Sequence, residues 1–186
     1  EMKPILFVHV PKAAGSTIYK SFNLERVTKH ATLNYLQIKD EIDVDGCWII
    51  GTVRNPWQRI FSLWNWTCSL VNPKHGLDWK EWLYDSPLVG YHYRDELNNN
   101  PLKQVNYFID MNGKIKYDEI IRAEHLEKDV WKSTRLNGVS TNHYAGGISG
   151  TSIGWRDHYD EEDVEYVREQ SKWEIDTFGY KFEETE

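Results

Sequence analysis

Apolar residues in this chain form two dense, continuous runs early on and recur at wider, helical spacing afterwards. Ile5 to Val10 and Cys47 to Val53 are unbroken and rich in β-branched residues, the pattern of buried strands. Between them, residues 15–24 predict a helix and residues 32–36 a short strand. Further helices are predicted over 56–70, 78–84, 125–137 and 160–173, the last opening on acidic residues that suit the positive end of a helix dipole. A polar loop is predicted around Asn98-Asn99-Asn100-Pro101. Gln104 to Asp110 and Ile115 to Arg122 flank Met111-Asn112-Gly113-Lys114, whose Asn-Gly pair predicts a hairpin turn. The glycine- and serine-rich stretch Gly146 to Gly154 reads as a loop. There are no repeats and no low-complexity tails. The expectation is one α/β domain over residues 1–186, with a mostly parallel central sheet and helices on both faces.

Chemistry gathers where the two apolar runs stop. After the first come Pro11-Lys12-Ala13-Ala14-Gly15-Ser16-Thr17 and a helix-compatible segment. Strand, tight turn and helix start is the arrangement in which backbone N–H groups and a helix dipole converge on an anion. Lys12 adds a mobile cation, and Ser16 and Thr17 add hydroxyl donors. The pattern differs from the GxxxxGK[ST] loop of nucleotide triphosphatases, which places its lysine after the glycines and beside a magnesium-binding hydroxyl. Here the lysine lies three residues before the single glycine, so it would sit over the outermost group of the ligand rather than beside a metal.

The second run ends in Arg54-Asn55-Pro56-Trp57-Gln58-Arg59-Ile60-Phe61-Ser62. Pro56 suits the first position of a helix, where its missing N–H costs nothing. Arg59 and Ser62, three apart, share a helix face. Arg54 falls at a strand's C-terminal end, where open α/β sheets collect ligands. A guanidinium, a helix start and a hydroxyl suit a second, separate phosphate. The implied ligand carries phosphates at both ends.

At these residues the chain resembles the sulfotransferases. PKAAGST is similar to their 5′-phosphosulfate loop, roughly PKxGGTS, and RNPWQRIFS to their 3′-phosphate motif, RNPxxRxxS. The group approached most nearly contains the heparan 2-O-sulfotransferases and many short bacterial and phage proteins. Lys29-His30-Ala31-Thr32 matches that group's histidine segment after the first helix. Arg122-Ala123-Glu124-His125-Leu126 resembles its RFExL strand, and Tyr159-Asp160 through Phe178-Gly179-Tyr180 its closing helix and FGY ending. The resemblance implies a P-loop-like sulfotransferase fold and 3′-phosphoadenosine 5′-phosphosulfate (PAPS) as donor, with 3′-phosphoadenosine 5′-phosphate (PAP) as product. It also implies a hydroxyl-bearing acceptor, saccharide or small molecule, and no metal. Lys12 would face the bridging oxygen and departing 5′-phosphate. Residues 12–17 would cradle that group, and Arg54 and Ser62 would hold the 3′-phosphate. Arg59 is open to two readings, support of the site or a helix-surface ion pair. His30 stands where relatives place the general base, and a neutral imidazole near pH 7 suits that task; the alternative is a partly exposed histidine near a strand end. Residues 149–156 fall where related enzymes fold a lid, making Ser152, Gly154 and Arg156 candidate contacts, with His143 and His158 flanking. Glu124 reads as an anchor and Trp57 as core rather than an adenine neighbour. Ala14 stands where the loop usually has glycine, and alanine is expected to keep φ negative there.

Composition narrows the partners. Hydrophobic residues make up 40% and charged residues 27%, as in a globular protein. No apolar run reaches the 18 residues of a membrane span, and no signal-peptide core precedes the first strand, so a cytoplasmic location is expected. The net charge of −7 requires cations to be concentrated locally, as at Lys12, Arg54 and Arg59, and is less suited to a heavily sulfated polysaccharide. No basic run resembles a nucleic-acid footprint. Cys47 and Cys68 lack metal spacing and read as reduced core thiols. Two rival readings remain: a metal-dependent small-molecule kinase, and a nucleotide-binding relative without turnover.

Overall fold

The computed structural model describes residues 2–22, 30–70, 76–85, 100–137 and 154–183. Three parallel strands, β1 (Ile5–Val8), β2 (Trp48–Val53) and β3 (Glu119–Arg122), lie in the order β1-β2-β3. Ile5 pairs with Trp48 and Val8 with Gly51, and Ile50 pairs with Glu119 and Val53 with Arg122. β2 is buried from Ile49 to Val53, as a central parallel strand covered on both faces must be. Strand alternation divides its apolar residues between two clusters. Leu6, Val8, Ile49 and Val53 pack on one face with Leu33 and Leu36 of α2 (Leu33–Lys39), Trp57, Ile60 and Leu63 of α3 (Pro56–Trp64), and Trp82 of α4 (Trp79–Asp85). Ile50 and Ile121 pack on the other with Ile18 of α1 (Gly15–Ser21) and Val130 of α5 (Leu126–Lys132). The α/β expectation, with helices on both faces, holds in this mixed architecture. Gly51 is required in β2 because a Cβ there would lie 2.2 Å from a ring carbon of Phe108.

Local chemistry explains where the elements depart from the periodicity. Residues 32–36 form a helix, not a strand: the Thr32 hydroxyl accepts the Tyr35 N–H at 3.1 Å as an N-cap, and Leu33 and Leu36 turn inward together. The Asn-Gly turn forms, with Gly113 at φ 75° and an Ile109–Ile115 bridge. Its flanks are not a hairpin, however. Gln104–Phe108 is a 3₁₀ helix, and β3 pairs with β2 instead. The helix expected over 56–70 is α-helical only to Trp64 and continues as a π-helical Asn65–Leu70 segment. There the Thr67 hydroxyl donates back to the carbonyls of Leu63 and Trp64 (3.0 and 3.2 Å). The helix expected over 125–137 stops at Ser133, which is extended and whose oxygen accepts the Leu136 N–H. The final helix breaks at Ser171 into α6 (Glu161–Gln170) and α7 (Lys172–Phe178), and Asp160 and Asp163 close a reciprocal capping box at its start. Among the described residues no helix is long and apolar enough to cross a membrane.

Candidate functional site

The C-terminal ends of β1 and β2 adjoin because the two strands pair in register. Between β1 and α1 the chain makes a tight turn over residues 11–14, anchored by the buried Pro11 and Ala13. Lys12 and Ala14 both take left-handed backbone, φ 62° and 61°. This corrects the expectation of negative φ at Ala14: the turn imposes the glycine-like conformation on alanine, at about 1–2 kcal/mol. Alternating backbone handedness of this kind turns successive N–H groups toward one point, the geometry of an anion-binding nest. α1 begins at Gly15, so the N–H groups of Gly15 and Ser16 have no acceptor within the helix. The Ser16 side chain is exposed and that of Thr17 half-buried.

Lys12 lies half-buried with its Nζ 4.6 Å from the ring centroid of Trp66, an indole that is 49% exposed on the π-helical turn. Among the described residues Lys12 makes no ion pair. Burial, and then the neighbouring Arg54 charge, push its ammonium down to about 8. A cation held this way is short of negative charge.

Arg54 supplies the second cation at the same place. Its Nη1 donates to the Lys12 carbonyl at 3.2 Å and its Nε to Gln58 Oε1 at 3.1 Å. Gln104 brackets the Arg54 peptide, accepting its N–H (3.0 Å) and donating to its carbonyl (2.8 Å). Glu174 accepts the Gln104 N–H at 2.5 Å, so α7 reaches Arg54 through one side chain. The sequence reading separates the two cationic motifs; the fold brings them into contact. It misses Gln104 and Glu174 altogether, since neither belongs to a recognisable spacing.

Arg59 is fully buried, which removes the surface ion-pair reading. Its guanidinium donates to the carbonyls of Pro11 (3.4 Å), Pro101 (2.8 Å) and Leu102 (2.7 Å). It thereby ties the start of the anion loop to the 100–102 segment. Ser62, three residues further along α3, is 2% exposed. Asn55 caps α3, its side chain accepting the Gln58 N–H, with Pro56 at the first helical position as expected. Glu124 accepts the Asn55 N–H (2.6 Å) and the Tyr180 hydroxyl (3.0 Å), an anchor between the end of β3 and the C-terminal tail. Trp57 is core, with its indole N–H on the Val164 carbonyl.

His30 also reaches this end of the sheet. It holds φ 66°, and its ring meets that of His9 edge to face, centroids 4.5 Å apart. His9 packs against the start of α1: a Cβ on Gly15 would lie 2.2 Å from its ring. One imidazole therefore separates His30 from the anion loop. The sequence reading assigns no role to His9. Its signal is present in the strand pattern, a polar ring on the Ile5–Phe7 face at the last turn before Pro11. Of the lid candidates, Gly154 (φ 70°) precedes a 3₁₀ turn over Trp155–His158. Arg156 donates to the Phe182 carbonyl (3.0 Å) and packs over Trp155. Those contacts tie it to the C-terminal tail, while His158 packs against Phe61 and Trp64. Ser152 and His143 lie outside the described residues. Set against known proteins, the chain matches no family model, no curated protein and no solved structure.

Proposed function

We propose that this chain is a sulfotransferase that takes PAPS as donor and an alcohol, on a saccharide or small molecule, as acceptor. The observation that carries the reading is the meeting of Lys12 and Arg54 at adjoining strand ends, beside a left-handed turn that opens a helix. The residues present fit the donor. A bent anhydride with anions at both ends requires two cations and a set of inward N–H groups, and the turn carries no side chain larger than alanine between Lys12 and Ser16.

Bound PAPS supplies a sulfuryl group on a phosphate leaving group. The chain's residues then have defined tasks. The N–H groups at the start of α1 and the Ser16 and Thr17 hydroxyls hold the 5′-phosphate, and Arg54 reads the 3′-phosphate, with Ser62 on the helix behind. Arg59 keeps the loop in shape from beneath. Lys12, lowered to about 8 in the free protein, is held in its charged form by the anion. Its ammonium stabilises the negative charge left on the phosphate oxygen as the S–O bond to it breaks. His30 accepts the acceptor's hydroxyl proton while that oxygen bonds to sulfur.

The test is transfer of ³⁵S from labelled PAPS to a panel of monosaccharides, phenols, lipid alcohols and peptides, in excess EDTA. Labelled product is expected without any divalent cation, and Lys12→Ala should lower kcat by about 10²–10³, as for removal of one preorganised donor. Activity that EDTA abolishes and magnesium restores would turn the assignment to a kinase. PAP binding without transfer to any acceptor would leave a binding protein.

A further inference from the structure

We infer that His9 is the positioning residue of this site: it sets the imidazole of His30 against the anion loop, so that the base and the donor cradle are one packed unit. The inference rests on the sulfotransferase reading, in which His30 takes the acceptor proton. His9 follows Phe7 on the same face of the first apolar run and is only 8% exposed. Three residues from two elements, α1 and β1, surround its ring. Gly15, the first residue of α1, fits beneath it only because it lacks a Cβ, which would come 2.2 Å from Cδ2 and 2.6 Å from Nε2. Tyr19, one turn further along α1, lies 6.3 Å away between ring centroids, and Phe7 of β1 lies 6.1 Å away. The remaining side receives His30 at 4.5 Å and 75°.

That distance and angle decide the kind of contact. Centroids 4.5 Å apart at a steep tilt are edge-to-face packing at its closest range. An in-plane hydrogen bond between two imidazoles would hold the centroids further apart. His9 therefore acts as a wall that fixes the tilt of His30, not as its proton relay. The demand is strict because His30 sits on left-handed backbone, φ 66°. Such backbone persists in a non-glycine residue only where its surroundings enforce it. A wall built on β1 and braced by Gly15 moves with the loop that holds the leaving phosphate, so base and leaving group keep their alignment. In-line transfer is sensitive to that alignment, and a displacement of about 1 Å costs on the order of 10² in rate.

The experiment is a double-mutant cycle at His9 and His30. The probe reaction is release of ³⁵S-sulfate from labelled PAPS, with water as acceptor, alongside PAP binding by calorimetry and an NMR search for the cross-ring NOE. His9→Ala should lower kcat by roughly 10²-fold on the wild-type background and leave kcat unchanged on the His30→Ala background. PAP affinity should stay within about twofold in each variant, since no phosphate contact is removed. His9→Asn, which keeps a planar polar group, should recover part of the loss. The NOE between the two rings should be present in the wild type without any ligand. An equal loss on both backgrounds would overturn the inference by showing that His9 acts through the loop alone. So would an unchanged kcat in His9→Ala, or absence of the NOE. A His30→Ala variant that keeps full activity would instead overturn the assignment of His30 as base, a different outcome from any of these.

Discussion

The two ends of the sheet handle charge in opposite ways. At the N-terminal ends of the strands, opposite charges cancel in pairs. Lys116 bridges Asp45 (2.5 Å) and Asp110 (3.0 Å), and Lys3 donates to the Asp45 carbonyl. Asp118 accepts the Ile49 N–H at 2.7 Å. Lys3, Asp45, Lys116 and Asp118 line a cavity of about 620 Å³ together with Ile49 and Trp173, and the Lys116 charge there is answered by Asp45 and Asp110. At the C-terminal ends of β1 and β2, like charges gather instead, while β3 ends in the Arg122–Asp129 ion pair. Lys12 and Arg54 meet across a carbonyl, and three of the four left-handed non-glycine residues among those described, Lys12, Ala14 and His30, stand at this end. Backbone strain and the close approach of two like charges each cost stability, and the two coincide at the ends of β1 and β2. On the proposed function, the N-terminal, closed end serves the fold and the C-terminal, open end would receive the donor's anions.

The largest expected effect tests that contrast directly. Arg54→Ala should weaken PAP binding by about 2–5 kcal/mol, the range for stranding one member of a buried charge pair. Binding of 5′-AMP, which lacks the 3′-phosphate, should scarcely change, and Lys116→Ala at the closed end should alter neither ligand. Calorimetry that returns equal losses of PAP and AMP for Arg54→Ala would remove the 3′-phosphate assignment.

How far the sequence reaches follows the same divide. β1, β2 and α3 are legible because each is written locally: β-branched runs for the strands, and Asn55-Pro56 for the helix start. Lys12 with its turn, and Arg54 at the end of β2, are legible because in each case charge and chain turn fall within a few residues. What long-range pairing decides is not legible. Gln104 looks like a strand residue, yet its amide serves the Arg54 peptide fifty positions away. Arg59 looks like a helix-surface cation until its three carbonyl partners come from two distant segments. Thr32, expected in a strand, caps a helix because its hydroxyl outweighs its β-branched preference. His9 hides in an apolar run, since nothing in the sequence shows that His30 folds back onto it.

A second effect, of intermediate size, concerns stability at the open end. The Lys12 ammonium falls from an ordinary 10.5 to about 8 through burial and then the Arg54 charge. The sign is that of a buried cation. Below pH 8 the lysine is charged in both folded and unfolded chains, and the folded state carries the whole penalty. Between pH 8 and 10.5 the unfolded chain binds more protons, so wild-type stability from this group rises with pH. Lys12→Met should therefore stabilise the protein at pH 7 by about 1–3 kcal/mol, an allowance for solvent reaching the half-buried amine. That gain should fade toward pH 10.5 in denaturant titrations, and the same variant should bind PAP less well. A Lys12→Met protein that is less stable at pH 7 would mean that Lys12 contributes to the fold, in which case the open end has no special standing.

The smallest expected effect lies at the closed end and has the opposite sign. Burial raises the Asp110 carboxyl, but the N–H groups of Lys114 and Asn112 and the Lys116 ammonium outweigh it, leaving the group below its ordinary range. A carboxyl lowered on folding stabilises above its unfolded value, and that contribution is lost as pH falls through the folded one. The Tm gap between wild type and Asp110→Asn should therefore be widest at neutral pH. It should narrow below about pH 4, where the unfolded carboxyl takes up its proton. Saturating PAP should raise both melting temperatures alike at each pH, because Asp110 belongs to the end of the sheet that ligand does not touch. If PAP altered the gap itself, the two ends would be energetically coupled, and the division of the sheet into a structural end and a binding end would fail.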